Sequence, residues 1–334
     1  MKMRTTVLTV TVIVVLTGLL TVIVVSKRGD SSPAGALGTR PAASPATPAD
    51  VPAQFQSTPA GRQGQVVRVD YRTRRGGAAI GKHAYVYLPA GYDQQDQQTR
   101  YDVLYLMHGA GMTTESFFGG AGQSAPLKNV LDHMIEQRQL RPTIVVTPTF
   151  YPDDNASLDL HYAGQLDREF PRELTADLMP AVEGTYRTYA PTADGAGFTA
   201  SRAHRAFAGF SMGAVTAWYV FIESLDYFRY FMPMAGDCWV VQDYGGTSAA
   251  AERTAAFLGR VARESGYQRD DYLIAASVGS ADGTTSQMDP QIREMRKLPD
   301  TFDAGNLRYT LDPGGGHDQP SMTKQFYNSI QLFF

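Results

Sequence analysis

The pentapeptide Gly209-Phe210-Ser211-Met212-Gly213 lies between a strand-like run at 205–210 and a helix-like run that begins at Met212. The Gly-x-Ser-x-Gly string is weak alone, but at a strand-to-helix junction it reads as a nucleophile elbow. A serine held on so sharp a turn takes strained dihedrals, and side chains at 209 and 213 would collide with the neighbouring backbone. Ser211 is then expected to lift its hydroxyl above the end of the strand, where a reacting group can approach.

The flanking sequence supplies the sheet that such an elbow needs. Runs 65–71 and 82–88 alternate apolar and polar residues, as half-buried antiparallel strands do, with Arg74-Arg75-Gly76-Gly77 as a loop between them. Run 102–107 is more continuously apolar, the pattern of a strand buried on both faces of a parallel sheet, and it ends in His108-Gly109-Ala110-Gly111. Further strands are expected at 143–146, 230–234, 272–278 and 307–311. Helical spacing occupies 127–139, 170–186, 212–224, 249–265 and 292–298, with a last helix at 319–334. An antiparallel start followed by strand-helix alternation predicts an α/β fold, a mostly parallel central sheet with helices on both faces. Loops at the carboxyl ends of its strands gather at one rim, where the candidate residues fall.

At 334 residues and 43% hydrophobic content the chain can bury one large core. A net charge of −3, with no basic stripe interleaved with aromatics, excludes nucleic acid as a partner and gives no footprint for other polyanions. The single cysteine, Cys238, rules out an intrachain disulfide and a cysteine metal cluster, and is expected to be a small packed residue. Run 7–25 is uncharged and apolar; at about 19 residues it approaches the roughly 20 that span a bilayer. Residues 1–28 are therefore expected to be a membrane anchor or signal segment, with Lys2 and Arg4 on one side and Lys27 and Arg28 on the other leaving its orientation undecided by charge. Residues 29–64, rich in Ala, Pro, Ser, Thr and Gly, read as a flexible stalk, and 65–334 as the catalytic domain. Such a domain would stand on the extracellular face of the cell envelope, touching the membrane only through its N-terminal segment, or would be secreted.

A serine hydroxyl needs a base to take its proton. Among six histidines His317 is the best placed, in the glycine-rich loop Gly314-Gly315-Gly316-His317-Asp318 after the last strand. The order serine, acid, histidine along the chain is that of alpha/beta-hydrolases. The acid should end a strand that precedes the histidine: Asp282 fits first, Asp237 second and Asp289 third. Two backbone N–H groups should face the oxyanion of a tetrahedral intermediate; Met212, after the nucleophile, and Ala110, with Gly111 next, are the candidates. His108 reads as a structural hydrogen-bonding residue. His83, His133 and His204 fall away from the rim. Tyr151, His161, Asp237 and Trp239 supply substrate-binding candidates, as aromatic or polar surface that can stack on a sugar or hold an aryl ring.

These segments carry a resemblance: Tyr85-Val86-Tyr87-Leu88-Pro89-Ala90-Gly91-Tyr92, Val103-Leu104-Tyr105-Leu106-Met107-His108-Gly109, the pentapeptide, Tyr230-Phe231-Met232-Pro233-Met234-Ala235-Gly236-Asp237 and Gly315-Gly316-His317-Asp318. From about Val66 to the end, the chain resembles the esterase-D-like branch of the alpha/beta-hydrolases and, more narrowly, the feruloyl and acetyl-xylan esterases of carbohydrate esterase family one. The resemblance implies an alpha/beta-hydrolase fold with Ser211 as nucleophile, His317 as base and Asp282 as acid, acting on acyl esters of plant cell-wall polysaccharide without metal or organic cofactor. Two positions depart from it: Ala214, where a further glycine is common, and Ala235, where serine is frequent. Three other readings share the scaffold: an envelope acyltransferase of mycolyltransferase type, a siderophore esterase, and a catalytically silent carbohydrate-binding module.

Overall fold

The computed structural model describes residues 46–245 and 247–334; the apolar run at 7–25 and the first part of the expected stalk lie outside them. Among the described residues no helix is long and apolar enough to cross a membrane. The strands are β1 (Gln65–Arg75), β2 (Ala78–Leu88), β3 (Asp102–Met107), β4 (Thr143–Thr147), β5 (Arg205–Phe210), β6 (Tyr230–Met234), β7 (Leu273–Gly279) and β8 (Leu307–Asp312). They form one eight-stranded sheet in the order β1-β2-β4-β3-β5-β6-β7-β8. The β1–β2 and β2–β4 pairs are antiparallel and all others parallel. Every residue of β3, β4 and β5 is buried, as their apolar runs require, whereas β1 alternates between buried and exposed positions.

The helices are α1 (Pro126–Glu136), α2 (Leu160–Glu173), α3 (Met179–Glu183), α4 (Gly195–Ala200), α5 (Met212–Ser224), α6 (Ser248–Glu264), α7 (Thr285–Met295) and α8 (Gln319–Ile330). Helix α1 carries the chain from β3 to β4 in one direction across the sheet, and α5 carries it from β5 to β6 in the other. Right-handed crossovers that step in opposite directions place their helices on opposite faces. The reversal occurs between the neighbouring strands β3 and β5, so a crevice opens beyond their carboxyl ends.

Four local expectations change. The hairpin strands run on to a two-residue turn at Gly76 (φ 55°) and Gly77 (φ 84°), the positive pair that a type I′ turn demands. Helix α2 begins ten residues before the expected 170, where Asp159 caps it by accepting from the Tyr162 N–H at 3.0 Å. Pro171 sits inside it and a π-helical turn, Leu174–Leu178, separates it from α3, so the helix expected at 170–186 is interrupted. Helix α7 likewise starts earlier than 292 and accommodates Pro290.

The larger correction concerns the stalk. Of residues 29–64, those from 46 onward lie against the domain. The Ala46 N–H donates to the Tyr309 carbonyl at 3.1 Å and its carbonyl accepts from the Leu311 N–H at 3.0 Å, extending the β8 edge. Asn328 of α8 bonds both the N–H and the carbonyl of Ala49. Phe55 is fully buried, stacked on His133 with centroids 4.9 Å apart, and the Gly64 N–H donates to Asp132 at 2.7 Å. This strap crosses from one edge of the sheet to the start of β1 at the other.

Candidate active site

Ser211 stands between β5 and α5 with φ 59° and ψ −119°, a conformation that a side-chain-bearing residue adopts only when its surroundings force it. The Ser211 N–H extends the sheet by donating to the Met234 carbonyl at 2.9 Å. A Cβ on Gly209 would overlap the Gly213 carbonyl, and one on Gly213 would overlap the carbonyl of Met107, so both glycines are required by contact. Gly109 allows the loop after β3 to close on the nucleophile, since a Cβ there would lie 2.9 Å from the Ser211 Cβ.

His317 Nε2 is 2.8 Å from Ser211 Oγ, and its Nδ1 is 2.7 Å from Asp282 Oδ2. Phe210 lies against the imidazole, with centroids 4.7 Å apart. Asp318, which caps α8 by accepting from the Ser321 N–H at 2.9 Å, anchors the far side of the histidine loop. The Asp282 side chain is fully buried. Its Oδ1 accepts from the Thr284 N–H at 2.8 Å and from the Thr284 hydroxyl at 2.7 Å. Burial pushes the Asp282 carboxyl up, but the bonds from His317 and Thr284 together outweigh it and hold the group below its ordinary value. The structure thus brings Ser211, His317 and Asp282 into one line. Asp237 instead accepts from the indole N–H of Trp239 at 3.0 Å, and burial raises its carboxyl to about 6. Asp289 pairs with Arg293 on α7.

A cleft of about 540 Å³ opens over Ser211, lined also by Ala110, Leu158, Leu160, Trp239, Tyr244 and Gln287. Met212 and Ala110 both border it. Among the described residues neither backbone N–H is taken by a hydrogen bond, whereas the Gly111 N–H donates to the Ser157 carbonyl at 2.9 Å. Of the substrate-binding candidates, Trp239 and Asp237 line the cleft. Tyr151 does not: it is 1% exposed, packed on His108 and Phe150, with its hydroxyl donating to the Ser157 carbonyl. His161 is exposed on α2, 3.0 Å from the Gln165 side-chain nitrogen and outside the cleft lining. Cys238 is buried, which drives its thiol well above its ordinary value and makes it inert. Among the described residues no cluster of three His, Cys, Asp or Glu side chains is arranged to hold a metal ion.

Sequence reasoning missed Leu158, Leu160, Tyr244, Gln287 and Thr284. Only Thr284 carried a signal, because a threonine two residues after an aspartate in a glycine-rich loop is a turn pattern that bonds the carboxylate.

Residues 81–318 match the family described as "Putative esterase". A curated relative, endo-1,4-beta-xylanase Y of Acetivibrio thermocellus, is 34% identical over 281 residues, covering 83% of this chain and 24% of that protein. A second, an endo-1,4-beta-xylanase/feruloyl esterase of Xylanibacter ruminicola, is 28% identical over 165 residues, covering 48% of this chain and 20% of that protein. The chain thus spans about a quarter or less of the curated relatives it matches. Among solved structures, a serine-to-alanine mutant of the feruloyl esterase module from Clostridium thermocellum, complexed with sinapinate, is 33% identical with a TM-score of 0.74, covering 89% of this chain and 96% of that one. A ferulic acid esterase from the anaerobic fungus Anaeromyces mucronatus, 19% identical with a TM-score of 0.61, covers 84% of this chain and 95% of that one and shares the fold. With its eight-stranded, mostly parallel sheet and a family match over most of its length, the chain belongs to this esterase family of the alpha/beta-hydrolase fold.

Proposed function

We propose that the chain is a serine carboxylic-ester hydrolase that removes aromatic acyl groups, of the feruloyl kind, from plant cell-wall polysaccharide through an acyl-enzyme on Ser211. The observation that carries this reading is the unbroken hydrogen-bonded line from Ser211 Oγ through His317 to Asp282, set in a cleft with an aromatic and aliphatic wall. Support for the substrate comes from the 33%-identical feruloyl esterase module and from the rings of Trp239 and Tyr244, whose centroids lie 4.6 Å apart beside the serine. A planar cinnamoyl group suits such a wall. The run at 7–25 would deliver the domain to the outer face of the cell envelope and hold it there.

In this mechanism Ser211 gives its proton to His317 Nε2 as Oγ attacks the ester carbonyl, and the alcohol leaves with that proton. Water then repeats the sequence on the acyl-enzyme and frees the acid. The N–H groups of Met212 and Ala110 stabilise the oxyanion, the first aided by the amino end of α5.

The direction of the Ala110 N–H is set by the two donors to the Gly109 carbonyl, the Met112 N–H at 3.3 Å and, at shorter range, His108. In a trans peptide the carbonyl and N–H point opposite ways, so whatever holds the Gly109 carbonyl aims the Ala110 N–H. His108 Nδ1 lies 2.8 Å from that carbonyl and its Nε2 lies 2.8 Å from the Thr149 hydroxyl. Burial lowers the His108 imidazole to about 4, so it is neutral at pH 7, with the proton on Nδ1 and Nε2 accepting from Thr149. His108 is therefore a positioning residue. His108→Leu is expected to lower kcat about ten- to a hundredfold, less than the 10²–10³ range for loss of a whole oxyanion donor because the donor is misaimed and not removed, with KM little changed. His108→Asn, whose amide can donate to the same carbonyl, should recover most of it. A purely structural role would move the unfolding midpoint without that kcat-against-KM split.

The reading is tested by turnover of methyl ferulate, short aryl acetates and acetylated xylan, with product analysis in the presence of an added sugar. Ferulate release that exceeds acetate release is the expected result. Acyl-sugar in place of free acid would replace hydrolysis by transfer, and background rates on every ester would remove the proposal.

A further inference from the structure

A second surface stands away from the cleft. The β1–β2 hairpin carries Arg68, Arg72, Arg74, Arg75 and Lys82 against one acid, Asp70, in a chain whose net charge is −3. Between its end and the last turns of α2 lies a groove of about 730 Å³, lined by Arg72, Arg74, Arg75 and Arg172 beside Leu166 and Phe170. Three carboxylates also line the groove, and each has a partner of its own. Glu173 accepts from the Lys82 ammonium and from the Tyr71 hydroxyl at 2.7 Å, Asp177 accepts from the Thr73 hydroxyl at 2.8 Å, and Glu169 faces Arg75 at 3.7 Å. Arg72, Arg74 and Arg172 are exposed and form no ion pair among the described residues.

Charged side chains on an edge strand also deter edge-to-edge pairing, but either sign serves that purpose. With Glu169 paired to Arg75 and Glu173 to Lys82, the groove keeps an excess of positive charge that an anion relieves, and the planar guanidinium fork matches a carboxylate. The whole-chain charge therefore misleads about this face. Helix α2 ties the groove to the cleft, with Leu160 lining one and Arg172 the other; twelve residues at about 1.5 Å each separate them by roughly 18 Å. That span suits a few sugar units of an extended glycan.

Resting on the esterase reading above, we infer that this groove binds the carboxylates of a uronic-acid-bearing polysaccharide and holds the polymer whose ester lies at Ser211. The test uses the full chain, the triple variant Arg72→Gln/Arg74→Gln/Arg172→Gln, and the charge-keeping triple Arg72→Lys/Arg74→Lys/Arg172→Lys. Affinity electrophoresis in polygalacturonate should retard the wild type, in neutral arabinoxylan much less. Retardation should vanish in the Gln triple and in high salt, and largely return in the Lys triple. Methyl ferulate turnover should be unchanged in all three proteins, while KM for a feruloylated acidic glycan rises about tenfold in the Gln triple. Equal retardation of wild type and Gln triple, or none of either, overturns the proposal, as does binding to phosphatidylserine vesicles without binding to polygalacturonate. Retardation of a wild type that cleaves no ester would remove the esterase reading and leave the groove standing.

Discussion

Ser211→Ala is expected to lower kcat on aryl esters roughly 10⁴- to 10⁶-fold, the range seen when a hydroxyl nucleophile is removed from such a unit. The change deletes one atom, Oγ, whose single hydrogen-bond partner among the described residues is His317 Nε2 at 2.8 Å. The backbone that sets the elbow is untouched, because the Ser211 N–H bond to Met234 and the contacts that require Gly209 and Gly213 do not involve the side chain. Stability should therefore match or slightly exceed that of the wild type, as is common when a strained catalytic group is cut back. The cleft wall of Leu158, Trp239 and Tyr244 is also preserved, so product acid should bind as before. The decisive measurement is single-turnover acid release beside calorimetric binding of ferulate. Turnover within tenfold of wild type would locate the nucleophile elsewhere and break the proposed mechanism at its first step.

The parts of the fold that were legible in the sequence are those whose side chains report their own surroundings. Strands β3 and β5 are short apolar runs because both faces are covered, and their limits in the structure match the expected 102–107 and 205–210. The elbow glycines were legible for a similar reason: a steric requirement leaves only one residue type. Illegible elements are held by groups the composition does not display. The strap at 46–64 reads as a stalk because its pairing with β8 and its bonds at Ala49 and Gly64 use backbone atoms, and Phe55 is the one aromatic residue in a polar, proline-rich stretch. The early start of α2 rests on one cap, Asp159, in a segment that otherwise lacks a clean apolar period. At the site, order along the chain pointed to Ser211 and His317 and left Asp282, Asp237 and Asp289 as ranked acids; the structure puts Asp282 beside His317. The cleft lining was not legible, because Leu158 and Tyr244 reach it from loops whose path depends on contacts distant in sequence. Tyr151 shows the converse error: an aromatic residue in a rim loop packs inward on His108 and Phe150 and supports the loop instead of facing the cleft.

Asp282→Asn should lower kcat by about 10⁴ through the tautomer of His317, and the local bonding shows why. In the wild type Oδ1 accepts both Thr284 donors, and Oδ2 is left to accept from His317 Nδ1–H. An asparagine must keep its oxygen toward Thr284, where two donors point, which turns its NH₂ toward Nδ1. Two donors cannot face each other, so the imidazole moves its proton to Nε2 and presents N–H to Ser211 Oγ. It can no longer accept the serine proton. Loss of the carboxylate also changes stability in a signed way. The native Asp282 carboxyl lies below its ordinary value, so in the wild type its contribution is full above the unfolded value near 4 and disappears as the pH falls through the native one. The variant has no such group, and its disadvantage in urea midpoint should be largest at pH 7 and shrink below about pH 4. Urea titrations at pH 7 and 3, read beside kcat, separate the two effects. A variant that keeps kcat within tenfold of wild type would show that Asp282 does not set the tautomer of His317, and the orienting acid would have to be found elsewhere at the rim.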